Sequence, residues 1–180
     1  VYTKFLEENG ITVPRSELFS DKSDLHLLLS QYKDQYVIVK NRYESASIGM
    51  TDKNVFRLCQ NSLQHLNNLL KEMCTDSLLV QEYIDGIECE VLVLQYKGKY
   101  YALDPVQILF KTNLNFIDTD TSNTYNYEFK VIESSIKFLL QATAQKAAEL
   151  LGVKDYARFD FRIKKGVPYL FDIAGTPYTI

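Results

Sequence analysis

Apolar residues recur along the chain with two periods, and these place most of its elements. Phe56, Cys59, Leu63, Leu66, Leu70 and Met73 fall three or four positions apart, which predicts one long amphipathic helix over residues 53–73. A second such series, Ile136, Leu140, Ala144, Ala147 and Leu151, predicts a helix over 133–151 that stops at Gly152. Residues 3–9 read as a short helix ended by Gly10, and 23–31 as another with Asp24 near its start. Between them runs Ile11-Thr12-Val13-Pro14, where Pro14 argues against a central strand. Tyr36-Val37-Ile38-Val39-Lys40 is a β-rich run that reads as a buried strand. Residues 41–50 are polar, contain Gly49 and look like a loop. Strands are expected at 78–83, 88–95 and 100–103, punctuated by Asp85-Gly86 and Lys97-Gly98. Residues 112–125 form a polar stretch long enough for a functional loop. Two closing strands flank Lys164-Lys165-Gly166-Val167-Pro168, and the mixture of helices and hairpins predicts an α+β fold in two lobes.

Composition narrows the class. The chain has 180 residues, 46% of them hydrophobic and 24% charged, which is a globular balance. At this length roughly 70% of the unfolded surface can be buried, so a core needs neither disulfides nor metal. Lys and Arg number 20 against 23 Asp and Glu, a formal net charge of −3 with no block of like sign. That leaves no electrostatic footprint for nucleic acid or a membrane surface. Cys59, Cys74 and Cys89 lack metal-ligand spacing and fit a reducing cytoplasm. No apolar run approaches the ~20 residues of a membrane span. The chain begins at Val1 without a methionine and ends at Ile180 just after a strand, which reads as a fragment.

The final hairpin carries the clearest local chemistry. In Ala157-Arg158-Phe159-Asp160-Phe161-Arg162-Ile163 every second residue is apolar, and Arg158, Asp160 and Arg162 share the other face. A three-residue loop centred on Gly166 would put Asp172 opposite Asp160. Cross-strand Cβ atoms lie roughly 5 Å apart, and like charges there destabilise the sheet unless something neutralises them. A divalent cation would do so, since magnesium takes hard carboxylate oxygens and shares them with phosphates. Two alternatives stand beside it: the two arginines neutralise the aspartates, or a one-residue slip sends Asp172 to the other face.

The chain also resembles the ATP-grasp part of D-alanine–D-alanine ligase and its carboxylate–amine ligase relatives. Val37-Ile38-Val39-Lys40 followed by Glu44-Ser45-Ala46-Ser47-Ile48-Gly49-Met50 is similar to that family's strand lysine and small-residue phosphate loop. Val80-Gln81-Glu82-Tyr83-Ile84-Asp85-Gly86-Ile87-Glu88 resembles its adenine-binding strand and hinge. Tyr127-Glu128-Phe129-Lys130 resembles the loop that closes over the phosphates. Arg158-Phe159-Asp160-Phe161 and Phe171-Asp172-Ile173-Ala174-Gly175-Thr176-Pro177 look like the catalytic arginine and metal-ligand segments. Each motif alone is weak; five in the family's order make a specific match.

The resemblance implies an ATP-grasp fold of two lobes with mostly antiparallel sheets flanked by helices. The smaller, nucleotide-binding lobe would cover about 20–85 and the larger, with the metal and phosphate site, about 86–180. It implies ATP and Mg2+ as cofactors. Lys40 and Lys130 would meet the phosphates, Lys130 in a catalytic role, and amides near Ser45 and Ser47 would cradle phosphate oxygens. Main-chain groups of Glu82, Tyr83 and Ile84 would hold adenine, and Glu88 would accept from the ribose hydroxyls. Glu90 shares the strand face of Glu88, and residue spacing alone does not choose between them. Arg158 would stabilise the oxyanion formed when an amine attacks an acylphosphate, and Asp160 and Asp172 would hold magnesium. Two departures matter: Asp172 stands where the family usually has glutamate, and Ala174, with no side-chain oxygen, stands where it has asparagine.

A kinase or Walker-type site is excluded by residues. His26 and His65 are the only histidines, neither follows a His-Arg-Asp pattern, no Asp-Phe-Gly occurs, and no Gly-x-x-x-x-Gly-Lys-Ser/Thr exists. The expectation is therefore a cytoplasmic ATP-dependent carboxylate–amine ligase, joining a small carboxylate to an amino-acid amine. A nucleotide-binding pseudo-ligase or regulatory module is the alternative. Neither nucleic acid nor membrane is expected as a partner, whereas a homodimer fits the full-length protein. The family's amino-terminal domain is expected to be missing here, leaving the 180 residues inactive alone.

Overall fold

Strands dominate the computed structural model of the chain, which describes residues 2–43, 47–111, 116–119, 124 and 126–175. These residues form two compact units, each with its own sheet and core. One takes its residues from 15–83 and 110–126, the other from 1–14, 84–109 and 127–180. Neither unit is continuous in sequence. The smaller lobe read as about 20–85 thus gains a returning segment beyond 109, and the first fourteen residues join the larger unit.

The smaller unit is an antiparallel sheet of β1 (Ser16–Phe19), β4 (Leu78–Glu82), β2 (Tyr36–Asn41) and β3 (Val55–Arg57), in that order. Helices α2 (Asp24–Tyr32) and α3 (Leu63–Glu72) contribute Leu28, Tyr32, Leu66 and Leu69 to its core, against Val37, Val39, Leu78 and Val80. The strand at Tyr36 forms as expected and is buried through Val37, Ile38 and Val39.

The long helix expected over 53–73 does not form. Only its second half is helical, and a single-turn helix at Asp52–Asn54, strand β3 and another turn at Gln60–Ser62 precede it. The cause is local. Asn54 is fully buried and donates Nδ2–H to the Val39 carbonyl at 2.7 Å. That bond pins the segment alongside β2, where Val55 and Phe56 pair with Ile38 and Val37. The Cys59 N–H then donates to Ser62 Oγ at 3.0 Å, opening the turn that leads into α3.

The larger unit holds β10 (Val167–Ala174), β9 (Tyr156–Lys164), β5 (Ile87–Tyr96), β7 (Val106–Phe110) and β8 (Tyr127–Val131) in spatial order, with β6 (Lys99–Ala102) pairing β5. Helix α4 (Ile136–Leu151) packs on β5 and β6 with Leu140, Ala144, Ala147 and Ala148 buried. Its alanines let the helix approach the sheet closely. It ends as expected at Gly152, whose φ of 62° suits a left-handed cap. Helix α1 (Tyr2–Glu8) adds Leu6 to the same core. Strands β1, β7 and β8 were not expected: β1 is a four-residue edge strand with one buried side chain, and the segment read as a closing loop, with Lys130 in it, is strand β8. Among the described residues no helix is long and apolar enough to cross a membrane.

Candidate functional site

The closing hairpin turns more tightly than expected. Lys165 and Gly166 alone make the turn, both at positive φ (50° and 78°), and Val167 pairs with Lys164. In a regular ladder this shorter turn would carry Asp172 to the wrong face. A β-bulge between Leu170 and Asp172 corrects it: Leu170 still faces Phe161, but Asp172 faces Asp160. The aspartates meet as expected, for a different reason.

On the other side of β9, Glu90 pairs with Asp160 and Glu88 with Arg162. Glu90, Asp160 and Asp172 therefore form one row across β5, β9 and β10. Arg158 serves this row, with Nε and Nη2 donating to Asp160 Oδ1 and Oδ2 at 2.7 and 2.9 Å and Nε 3.5 Å from Glu90. Ala174, which has no side-chain oxygen to offer, pairs with Arg158. Burial and the Asp160 charge push Glu90 up to about 7, against the pull of Arg158. Burial also raises Asp160, to about 6, although the Arg158 hydrogen bonds oppose it. For Arg158 burial works the other way but is outweighed by Asp160, Glu90 and Asp172, which hold the guanidinium charged. The Tyr2 hydroxyl bonds to Asp172, and its phenol is raised by burial and by the two aspartates. Cys89 points to the opposite, apolar face, where burial pushes its thiol up to about 12, leaving it unreactive.

Arg162 stands opposite Glu88 on β5. It pairs with Glu88, Nε to Oε2 at 3.1 Å and Nη2 to the same oxygen, and its Nη1 donates to the Ile84 carbonyl at 3.0 Å. Gly86 sits in the same corner, where a Cβ would lie 2.2 Å from the Ile163 carbonyl oxygen. Lys130 lies apart on β8, separated from β5 by β7.

In the smaller unit, half-buried Lys40 stands near the end of β2. Ser47 follows at φ 58°, its carbonyl accepting from Thr119 Oγ1 at 2.8 Å. Ser45 lies outside the described residues. Glu82 ends β4 and pairs with Arg15 at 3.0 Å. The Glu82 N–H donates to the Arg15 carbonyl and the Tyr83 N–H to the Tyr36 carbonyl. Of the main-chain groups expected to meet adenine, the N–H groups of Glu82 and Tyr83 are thus committed to main-chain carbonyls.

The donor set suits magnesium. Asp160 and Asp172 offer hard oxygens from neighbouring strands, and magnesium commonly takes one or two carboxylates and completes its shell with water and phosphate. Among the described residues no three His, Cys, Asp or Glu side chains are gathered to hold a metal by themselves, so water and phosphate would have to supply the rest.

Solved structures share this architecture. The VanG D-Ala:D-Ser ligase from Enterococcus faecalis matches 97% of this chain and 50% of its own, with TM-score 0.72 and 15% identity. The D-alanine–D-alanine ligase from Bacillus anthracis, solved with ATP, covers 97% and 53% with TM-score 0.68 and 17% identity. The fold is that of the ATP-grasp ligases. The chain belongs to the D-ala D-ala ligase C-terminus family, which it matches over residues 7–178. The D-alanine–D-alanine ligase of Maridesulfovibrio salexigens is 29% identical over 175 residues, 95% of this chain and 54% of the relative. The chain spans about half the length of the curated relatives it matches.

Proposed function

We propose that the chain is the nucleotide-binding and catalytic part of an ATP-dependent carboxylate–amine ligase. The observation that carries this reading is the placement of Asp172 opposite Asp160, with Arg158 bonded to both Asp160 oxygens. Family membership over residues 7–178 supports it.

The chemistry follows from the residues. A substrate carboxylate oxygen attacks the γ-phosphorus of ATP, ADP leaves, and an acylphosphate forms. An amino-acid amine then attacks the acyl carbon, giving a tetrahedral oxyanion that collapses to the amide as phosphate leaves and the amine loses a proton. Arg158, held charged by its acidic neighbours, stabilises that oxyanion. Lys40 and Lys130 are the cations for the phosphates, and the Ser45 to Ser47 segment is their main-chain cradle. The Ile84 N–H and neighbouring main chain hold adenine, and Glu88 receives the ribose. Bound magnesium would neutralise charge on the phosphate oxygens, with Asp160 and Asp172 as its protein ligands. The cytoplasm, where ATP is abundant, is the proposed compartment, and its reducing conditions suit Cys59, Cys74 and Cys89, none of which is in a disulfide. Ala174 favours the second reading, a nucleotide-binding module without efficient turnover, since the position opposite Arg158 on β10 offers no side-chain oxygen as a further magnesium ligand.

The test combines turnover and binding in the full-length protein. ADP and phosphate release is expected for at least one pair in a panel of amino acids and dipeptides, and none across the panel would sink the ligase reading. Asp160→Asn is expected to weaken ATP binding more in magnesium than in EDTA. Equal weakening in both would remove the metal role.

A further inference from the structure

Among the described residues, Arg162 and Glu88 form the most deeply buried ion pair of the larger unit, each side chain 6% exposed. Such a pair adds little net stability over well-packed apolar residues, because taking two charges out of water offsets their attraction. Its use must then lie in what it places. Arg162 donates Nε–H and Nη2–H to Glu88 Oε2, and a carboxylate, with about four lone-pair sites, accepts further donors such as a ribose hydroxyl. The remaining bond anchors Ile84 on its carbonyl side. Its N–H belongs to the preceding peptide plane and is left for adenine. One rigid, planar fork thus joins the two points assigned to the nucleoside, a geometry that a lysine cannot reproduce.

We propose that Arg162 is a positioning residue for the nucleotide, holding the Glu88 carboxylate and the Ile84 main chain in the placement that ribose and adenine require. This rests on the nucleotide reading of the site. The corner is built for a close fit, since the absent Gly86 side chain lets the strand entrance sit against Ile163.

The test is affinity for ATP and for 2′,3′-dideoxyATP, measured by calorimetry on the protein and on Arg162→Lys. The protein is expected to prefer ATP by about tenfold or more, the worth of a hydrogen bond to a charged group. In Arg162→Lys the dideoxy affinity falls about fivefold, for the lost Ile84 anchor, and the ATP affinity falls about tenfold beyond that, for the displaced Glu88, so the preference collapses. A preference that survives, whatever happens to the melting temperature, overturns the inference. Should Arg162→Lys fail to fold, Arg162→Gln/Glu88→Gln, which leaves no buried charge unpaired, is compared with Glu88→Gln. The double variant then binds dideoxyATP about fivefold more weakly because Ile84 has lost its anchor, and equal affinities overturn the inference. A protein that binds neither nucleotide overturns the nucleotide reading itself, and this inference with it.

Discussion

Glu90 and Asp160 face each other in a place where neither ionises easily. Burial raises Glu90 to about 7 and Asp160 to about 6, from ordinary values of 4.5 and 3.8. In this window the folded chain holds protons that the unfolded chain releases, so their contribution to stability falls as pH rises and returns as acid is added. The melting temperature of the ligand-free chain relative to Glu90→Gln is therefore expected to drop between about pH 5 and about pH 7. A constant difference across that range would mean that Glu90 titrates like an exposed glutamate. Asp160 and Asp172 were legible in sequence because a short turn joins their strands. The Glu88–Arg162 pair spans 74 residues, and no local pattern announces it. Glu88 and Glu90 could not be separated by spacing; the ladder separates them by giving one an arginine and the other an aspartate.

Among the elements, turns and a bulge decide where the chemistry points. The bulge beside Phe171 restores a facing that the two-residue turn would have destroyed, and nothing in the run Leu170-Phe171-Asp172 marks it. Gly86 shows the same dependence on neighbours. Its added Cβ would meet Ile163 backbone at 2.2 Å, whereas Gly152 has nothing within 4 Å and only its φ of 62° to resist a side chain. Gly86→Ala is expected to cost roughly 3 kcal/mol, the upper end of overpacking, and Gly152→Ala about 1 kcal/mol. Thermal or urea unfolding checks the order, and equal costs would mean that the β5 entrance shifts freely. The helix expected over 53–73 failed for a related reason. Its three-and-four spacing is genuine, but buried Asn54 bonds to Val39 and draws Val55 and Phe56 into the sheet. A tertiary contact outweighed a local period.

At the scale of the whole molecule, the two cores share no residue among those described. Leu140 and Leu66 are each fully buried, one in each core, so Leu140→Ala and Leu66→Ala should each cost about 2–5 kcal/mol. Hydrogen exchange is expected to quicken mainly in the amides of the unit that carries the substitution. Uniform quickening over the chain would show the two cores opening as one. The sequence by itself determined the α+β class, the α4 helix with its glycine stop, the buried strand at Tyr36, the polar face of β9 and the family resemblance. These are properties of neighbours along the chain, carried by spacing, turn residues and ordered motifs. Only the tertiary structure decided that residues 1–14 join the larger unit, that Lys130 stands on a strand, that a bulge returns Asp172 to Asp160, and that Arg162 serves Glu88. Those depend on which strands become neighbours, and pairing between segments many tens of residues apart leaves no periodic trace in either one.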